Sequence, residues 1–325
     1  LKFLITLVIY LASYLTMAQQ IYKRAVLLMG SDFEITVVAE NKEHADRYID
    51  VAIQEIQRIE QKISSWDQNS LTSSVNKHAG ILPVEVDKEL FDLITRSIAI
   101  SRLTDGAFDI SYASMDKIWK FDGTVNALPS SAEIKASIAN VGFQNIKLNK
   151  EKRTVFLPKK GMKIGFGAIG KGYAADKAKE LLIVNGVKAG IINASGDMSA
   201  WGVQPDKTHW KVAITNPLNK KNAFAILPLV DRAVVTSGNY EKYLILEGKR
   251  YAHIIDPRTG YPTENIAGVT VFAPKAELAD ALATSVFVMG VTTGMDRINQ
   301  LDNIECIIID NEGNIHTSKN IKIDQ

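Results

Sequence analysis

A globular chain built of both strands and helices is predicted, as one large domain or two closely packed parts. Three features of the sequence carry that expectation. Paired strand patterns turn on Gly30-Ser31-Asp32, long amphipathic helices separate later strands, and the strand runs of the C-terminal half end in glycine and polar residues. At 325 residues the chain is longer than most single domains. Its 46% hydrophobic content suits an ordinary globular core. The net charge is only +2 and there is no basic block or aromatic-interleaved basic patch, so nucleic acid is not an expected partner.

The first 18 residues read as a targeting segment. Lys2 is a basic flank, Phe3 to Leu15 is apolar, and Thr16-Met17-Ala18 is an acceptable small-residue cleavage site. A spanning helix needs roughly 20 apolar residues, whereas this run is shorter and holds Ser13 and Tyr14. Residues 19–325 are therefore expected to be exported and periplasmic, with inner-membrane association only if the segment is kept as an anchor. The single cysteine, Cys306, lies in the apolar run Ile304 to Ile309 and is expected in the core, which leaves no intrachain disulfide.

Arg24 to Met29 and Phe33 to Ala39 read as strands. Glu43 to Ile63 reads as a helix because Ala45, Ile49, Ala52, Ile56 and Ile59 recur at three- and four-residue spacing. Ser64 to Asn76 is polar and loop-like, yet carries Trp66, which is either an anchoring contact or a stacking surface for a ligand ring. Asp87 to Leu103 is a second helix, broken by Thr104-Asp105-Gly106-Ala107-Phe108-Asp109. Helix-stop chemistry explains Gly106 but not two carboxylates beside Phe108. Residues 120–142 contain Gly, Pro and a Ser-Ser-Ala-Glu helix start, and read as a short insertion. Strands follow at Ile146 to Leu148, Thr154 to Leu157 and Met162 to Gly165.

The stretch GFGAIGKGYAAD, Gly165 to Asp176, then opens a helix running to about Val184. Unpaired N–H groups and the positive end of a helix dipole suit a phosphate, and glycines let backbone approach it. Gly165, Gly167 and Gly170 match the dinucleotide pattern G-x-G-x-x-G. That pattern wants an acid about 20 residues on at the end of the next strand, but the strand Lys188 to Asn193 ends in Asn-Ala-Ser-Gly before Asp197. The P-loop pattern also nearly fits, except that Gly172 stands where a magnesium-binding hydroxyl belongs. Lys211 to Thr215 and Ala223 to Leu229 continue the sheet. Val234 to Asn239 and Tyr251 to Gly260 are strand ends tipped with polar groups, and Gly268 to Phe272 is a strand. Ala276 to Met289 is a helix, and Ile304 to Ile309 with Asn314 to Thr317 closes the sheet.

Asp280 and Thr284 are four apart and share one helical face in an otherwise apolar run. They read either as two oxygens for Mg²⁺, or as an acid near the helix start and a Thr bonded to its own helix. His253 precedes the tight turn Asp256-Pro257-Arg258-Thr259-Gly260. It reads either as a hydrogen-bonded structural residue or as a general base.

The segments GFGAIGKGYAAD, NASGDMSAWG (Asn193 to Gly202), TSGNYEKY (Thr236 to Tyr243), YAHIIDPRTGYP (Tyr251 to Pro262) and ADALATSVFVMG (Ala279 to Gly290) occur in this order, with LLMGSDFEITV and TDGAFDIS upstream. From Met29 to Gly290 the chain resembles the ApbE family, the FAD:protein FMN transferases. The resemblance implies a T-fold-like α+β architecture, with mixed or antiparallel sheets and packed helices, rather than a doubly wound sheet. It implies an exported, Mg²⁺-dependent transferase that moves the FMN moiety of FAD onto a Thr or Ser of a flavoprotein through a phosphoester and releases AMP. An FAD pyrophosphatase and a non-catalytic FAD-binding or storage protein are the alternatives.

By the same resemblance Met29, Trp66, Ala107, Phe108, Asp109, Gly165, Lys171, His253 and Ile255 line FAD. Ala168, through its backbone oxygen, holds the metal with Asp280 and Thr284. His253 is the candidate base, and Asp280 is also catalytic. The implied acceptors are flavoprotein subunits of membrane redox complexes. This chain departs from the family at Trp66, where another aromatic is usual. It also has Ala283, Gly165 and Lys171 where some members carry acids. No Thr-Gly-Ala-Thr-like acceptor occurs in the chain, so self-flavinylation is not expected.

Overall fold

The computed structural model describes residues 19–121, 128–216, 219–239, 243–246 and 249–321. The expected targeting segment, 1–18, and part of the 120–142 insertion lie outside the described residues. The chain opens with the hairpin β1 (Gln20–Leu28) and β2 (Ser31–Ala39), then α1 (Lys42–Ile63), α2 (Leu71–Lys77), β3 (Val84–Glu85) and α3 (Lys88–Leu103). Next come α4 (Ser131–Ser137), β4 (Lys147–Asn149), β5 (Thr154–Phe156) and α5 (Gly170–Val184). Seven strands follow: β6 (Gly190–Ala194), β7 (Asp197–Trp201), β8 (Trp210–Asn216), β9 (Asn219–Leu229), β10 (Ala233–Gly238), β11 (Tyr243–Leu246) and β12 (Lys249–Ala252). The chain closes with β13 (Ile266–Ala273), α6 (Ala276–Met289), α7 (Val291–Ile298), β14 (Glu305–Asp310) and β15 (Ile315–Thr317). The fold is α+β, as expected. Every strand pair among the described residues is antiparallel, which rules out a doubly wound sheet.

One eight-stranded sheet in the order β1-β2-β6-β7-β10-β13-β14-β15 organises the molecule. Phe33, Ile35 and Val37 alternate along β2 to face Ile49, Ile56 and Ile59 of α1 and Ala174, Ala178 and Leu182 of α5. Val269 and Val271 of β13 face Leu282 and Val286 of α6. The helices thus cover one face, and α5 and α6 meet side by side above it. Their starts are local: Asn41 caps α1 by accepting the His44 N–H at 2.9 Å, and Asp87 caps α3 through the Leu90 N–H at 2.8 Å. In the insertion, Ser130 and Glu133 form a capping box on α4. Cys306 is buried in β14, where burial raises its thiol pKa.

Tertiary packing overturns several local expectations. β8 and β9 do not continue the main sheet but form their own two-stranded ribbon. Its Trp210, Val212 and Ile214 pack on Val38, Val234, Phe272 and Ile307, which covers the apolar side of the main sheet opposite the helices. Met162 to Gly165 is not a strand. The Asn76 side chain takes both the N–H and the carbonyl of Ile164, at 2.7 and 2.9 Å, and the Gly165 N–H donates to the Ile110 carbonyl, so no ladder forms. The polar stretch 64–76 is not all loop, because Ser70 caps α2 and Val75 buries in the core. NASGDMSAWG is a hairpin of β6 and β7 rather than a single strand end. His253 sits in the bend after β12, not within the strand.

Candidate functional site

The start of α5 is the floor of the site. Gly167 is exposed, and a Cβ there would meet nothing within 4 Å, so its backbone faces open space. Gly172, one turn on, is there for packing. A Cβ on it would lie 2.2 Å from the Ala276 carbonyl oxygen, so α5 and α6 approach backbone to backbone. That contact explains why the hydroxyl of a P-loop is missing at this position. It also lets the Gly172 N–H donate to Asp280 Oδ2 at 3.2 Å, tying the two helices at the site.

A cavity of about 530 Å³ opens above this floor. Gly165, Ala168 and Lys171 from the α5 start line it, with Asp280 and Thr284 from α6 opposite. Ala107, Phe108 and Asp109 after α3, Trp66 after α1, and His253 and Ile255 after β12 complete the set named from the sequence. Met29 is the exception. It occupies the β1–β2 turn at φ 52°, its N–H donating to Glu60 Oε2, with its side chain beside Gly170 rather than on the cavity wall; Ser31, the first residue of β2, lines the cavity instead.

Asp280 is buried, and burial pushes its carboxyl well above the usual carboxylate range, with the nearby Asp197 charge adding to the effect. Lys171 and the Gly172 amide pull the other way. Lys171 Nζ stands 2.9 Å from Asp197 Oδ2, and Asp197 is buried at the start of β7. Two carboxylates, an ammonium and a Thr hydroxyl therefore share one low-dielectric corner. Among the described residues no three His, Cys, Asp or Glu side chains gather as a metal cage. The oxygen donors suit a hard cation that takes few ligands from protein. Thr284 does not repeat the pattern of its neighbour Ser285, which donates to the Ala281 carbonyl at 2.6 Å; among the described residues no bond from the Thr284 hydroxyl to its own helix is found.

The two aspartates around Phe108 divide. Asp105 pairs with Arg297 at the surface, at 2.7 Å. Asp109 lines the cavity, but its oxygens accept from the Ser111 N–H and hydroxyl and from the Phe143 N–H, at 2.6 to 2.8 Å. It ties the 107–109 wall to the segment after α4. Trp66 is 78% exposed with Lys117 Nζ 4.1 Å over its ring, so it is no core anchor but a flat wall at the cavity mouth. Asp176, at the end of the glycine motif, lies outside the cavity lining. It accepts from Ser199 Oγ and from the N–H groups of Ala276 and Glu277, capping α6 from a neighbouring helix.

Sequence reasoning did not assign Asp197, Tyr112, or Thr236 and Ser237 to the site, and all four line it. The polar ends of β10 and of the β6–β7 turn were the available signal. Nothing local distinguished Asp197 as a partner of Lys171. Burial pushes the Tyr112 phenol up to about 12, so it is a neutral wall at ordinary pH.

Residues 29–308 match the model of the ApbE family. The chain is 31% identical over 292 residues to the FAD:protein FMN transferase of Klebsiella pneumoniae (strain 342), covering 89% of each. It is 32% identical over 237 residues to the protein so named in Escherichia coli (strain K12), covering 71% of this chain and 68% of that one. Its fold superposes on the crystal structure of the ApbE protein from Thermotoga maritima with TM-score 0.84 at 31% identity, covering 92% and 97% of the two chains. The apo Pseudomonas stutzeri flavinyl transferase ApbE, 24% identical, shares the fold with TM-score 0.82 over 93% and 95%.

Proposed function

This chain belongs to the ApbE family, and on that premise we propose that its cavity takes FAD with Mg²⁺ and passes the FMN half to a Thr or Ser hydroxyl of an acceptor flavoprotein, releasing AMP. The enzyme is an FAD:protein FMN transferase. One observation carries the finer reading: a single cavity collects the phosphate-suited start of α5, the Asp280–Thr284 face, His253 and an aromatic wall.

The hydroxyl oxygen attacks the FMN-side phosphorus. The bond from that phosphorus to the bridging oxygen breaks, and AMP leaves with the oxygen. His253 takes the hydroxyl proton as general base, which assists attack by an alcohol of high pKa. Lys171 and the positive end of the α5 dipole stabilise charge on the diphosphate. The Ala168 carbonyl, Asp280 and Thr284 would hold Mg²⁺, which when bound neutralises charge on the phosphoryl oxygens and the leaving group. Phe108, Ile255 and Trp66 offer the apolar and aromatic walls a flavin ring needs. The apolar run near the N-terminus supports export to the periplasm, where acceptor subunits of membrane redox complexes would be met. Among the described residues no helix is long and apolar enough to cross a membrane.

The test is to incubate residues 19–325 with FAD, Mg²⁺ and a periplasmic flavoprotein domain, with and without EDTA. Covalent flavin is read by in-gel fluorescence and AMP in solution. A fluorescent acceptor with AMP, both lost with EDTA, is expected. Free FMN and AMP beside a dark acceptor would point to hydrolysis instead, and an FAD complex without AMP to storage.

A further inference from the structure

A second cavity, of about 820 Å³, adjoins the first and shares Trp66, Tyr112, His253 and Ile255 with it. Its other walls include Met115, Trp119 and Phe121, with Lys117 and Lys163 also lining it. The wall is pre-formed. The Trp119 indole N–H donates to the Gly260 carbonyl at 2.8 Å, and its ring stacks on Tyr251 with centroids 6.1 Å apart. Lys163 is fixed at its backbone, whose N–H and carbonyl both bond the Ser114 hydroxyl, at 2.7 and 2.9 Å. Both lysine side chains project from exposed positions, and Asp116 is the one carboxylate on this wall among the described residues. Lys120, exposed in the same segment, adds to the positive balance.

A hydroxyl carried by a protein cannot diffuse in alone. It must arrive on a length of chain, and the chain needs a surface that leads to the base. His253 stands on the walls of both cavities, so a segment lying in the second has a path to the reaction centre in the first. The exposed Trp66 and the partly buried Phe121 offer apolar surface to the side chains of an extended segment, with Trp119 packed behind them against Tyr251. The lysines select its charge. Resting on the flavin-transfer reading above, we infer that this second cavity is the acceptor's docking groove: an extended, acidic segment of the acceptor lies along it, with carboxylates against Lys117 and Lys163 and its Thr or Ser at His253.

Two labelled peptides test this, each with one central Thr and identical except for Asp or Lys at the flanking positions. Binding to the FAD-loaded enzyme is read by fluorescence anisotropy, and FAD affinity by flavin fluorescence. The acidic peptide is expected to bind at least about tenfold tighter at low salt and to lose the advantage as salt rises. Lys117→Glu with Lys163→Glu reverses the preference and leaves FAD affinity within about twofold; Lys117→Arg with Lys163→Arg keeps it. The inference fails if the unsubstituted enzyme binds both peptides alike or neither. It also fails if the Glu variant loses FAD affinity in step, which would make the groove a seat for the adenosine half of FAD. Failure of the flavin-transfer reading shows separately, as an unsubstituted enzyme that neither binds FAD nor releases AMP.

Discussion

Gly172→Ala sets two rules against each other. Helix propensity alone says that Ala in the first turn of α5 stabilises by about 1 kcal/mol. The structure says the opposite, because the new Cβ would lie 2.2 Å from the Ala276 oxygen, 2.6 Å from its carbonyl carbon and 2.9 Å from the Glu277 nitrogen. Bringing the closest of these out to 3.0 Å moves α5 and α6 apart by about 0.8 Å. Overpacking of this kind costs about 1–3 kcal/mol. The Gly172 N–H bond to Asp280 stretches as well, and a hydrogen bond to a carboxylate contributes about 1.5–3 kcal/mol. After the propensity gain the net loss is about 3 kcal/mol, which in a chain of this size lowers Tm by about 6 °C. Shifting Asp280 and Thr284 against Ala168 also lowers turnover, by about 10²-fold for a misplacement near 1 Å. Urea denaturation of the ligand-free protein, Tm and single-turnover transfer read the three effects. A variant as stable as the parent, or more so, would refute the backbone-contact argument for this glycine.

Three further outcomes are expected. Asp280→Ala lowers divalent-dependent kcat by about 10³-fold while circular dichroism stays native; full activity would remove it from the metal site. His253→Ala slows transfer by about 10²–10⁴-fold and shifts FAD affinity little; a loss confined to binding would make His253 a ligand contact only. Glu89 is held at about 2, chiefly by the Arg58 guanidinium bonded to both its oxygens, with Lys62 and the Tyr173 hydroxyl assisting against burial. Its folded pKa is depressed, so its contribution is present above the ordinary value of 4.5 and is lost as pH falls toward 2. Glu89→Gln should lower stability at pH 7 and flatten the acid decline across that window, read by denaturation midpoints against pH.

Much of the fold was legible because its causes are local. The helices Lys42–Ile63, Lys88–Leu103 and Ala276–Met289 follow from apolar spacing and, for the first two, from the capping residues Asn41 and Asp87. The turn at Gly30 set the opening hairpin. Most of the site was legible for a different reason: ordered motifs from Met29 to Gly290 resemble one family, and the residues they carry fall around one cavity, Met29 excepted.

Failures arose wherever the partner is distant. Ile164 has the apolar neighbours of a strand, yet its backbone bonds go to a side chain 88 residues away. β8 and β9 have ordinary strand sequences, and only the uncovered apolar face at Val38, Val234, Phe272 and Ile307 places them as a separate layer. Asp197 looked like an acid arriving too late for a dinucleotide motif, until the β6–β7 hairpin put it against Lys171. By itself, then, the sequence determined the helices, the first hairpin and the chemical alphabet of the site, since periodicity, caps and motifs act over a few residues. Only the tertiary structure decided which oxygens share a desolvated corner, which strand face needed covering and why residue 172 must be glycine. Those depend on packing and burial between segments that are far apart in the chain.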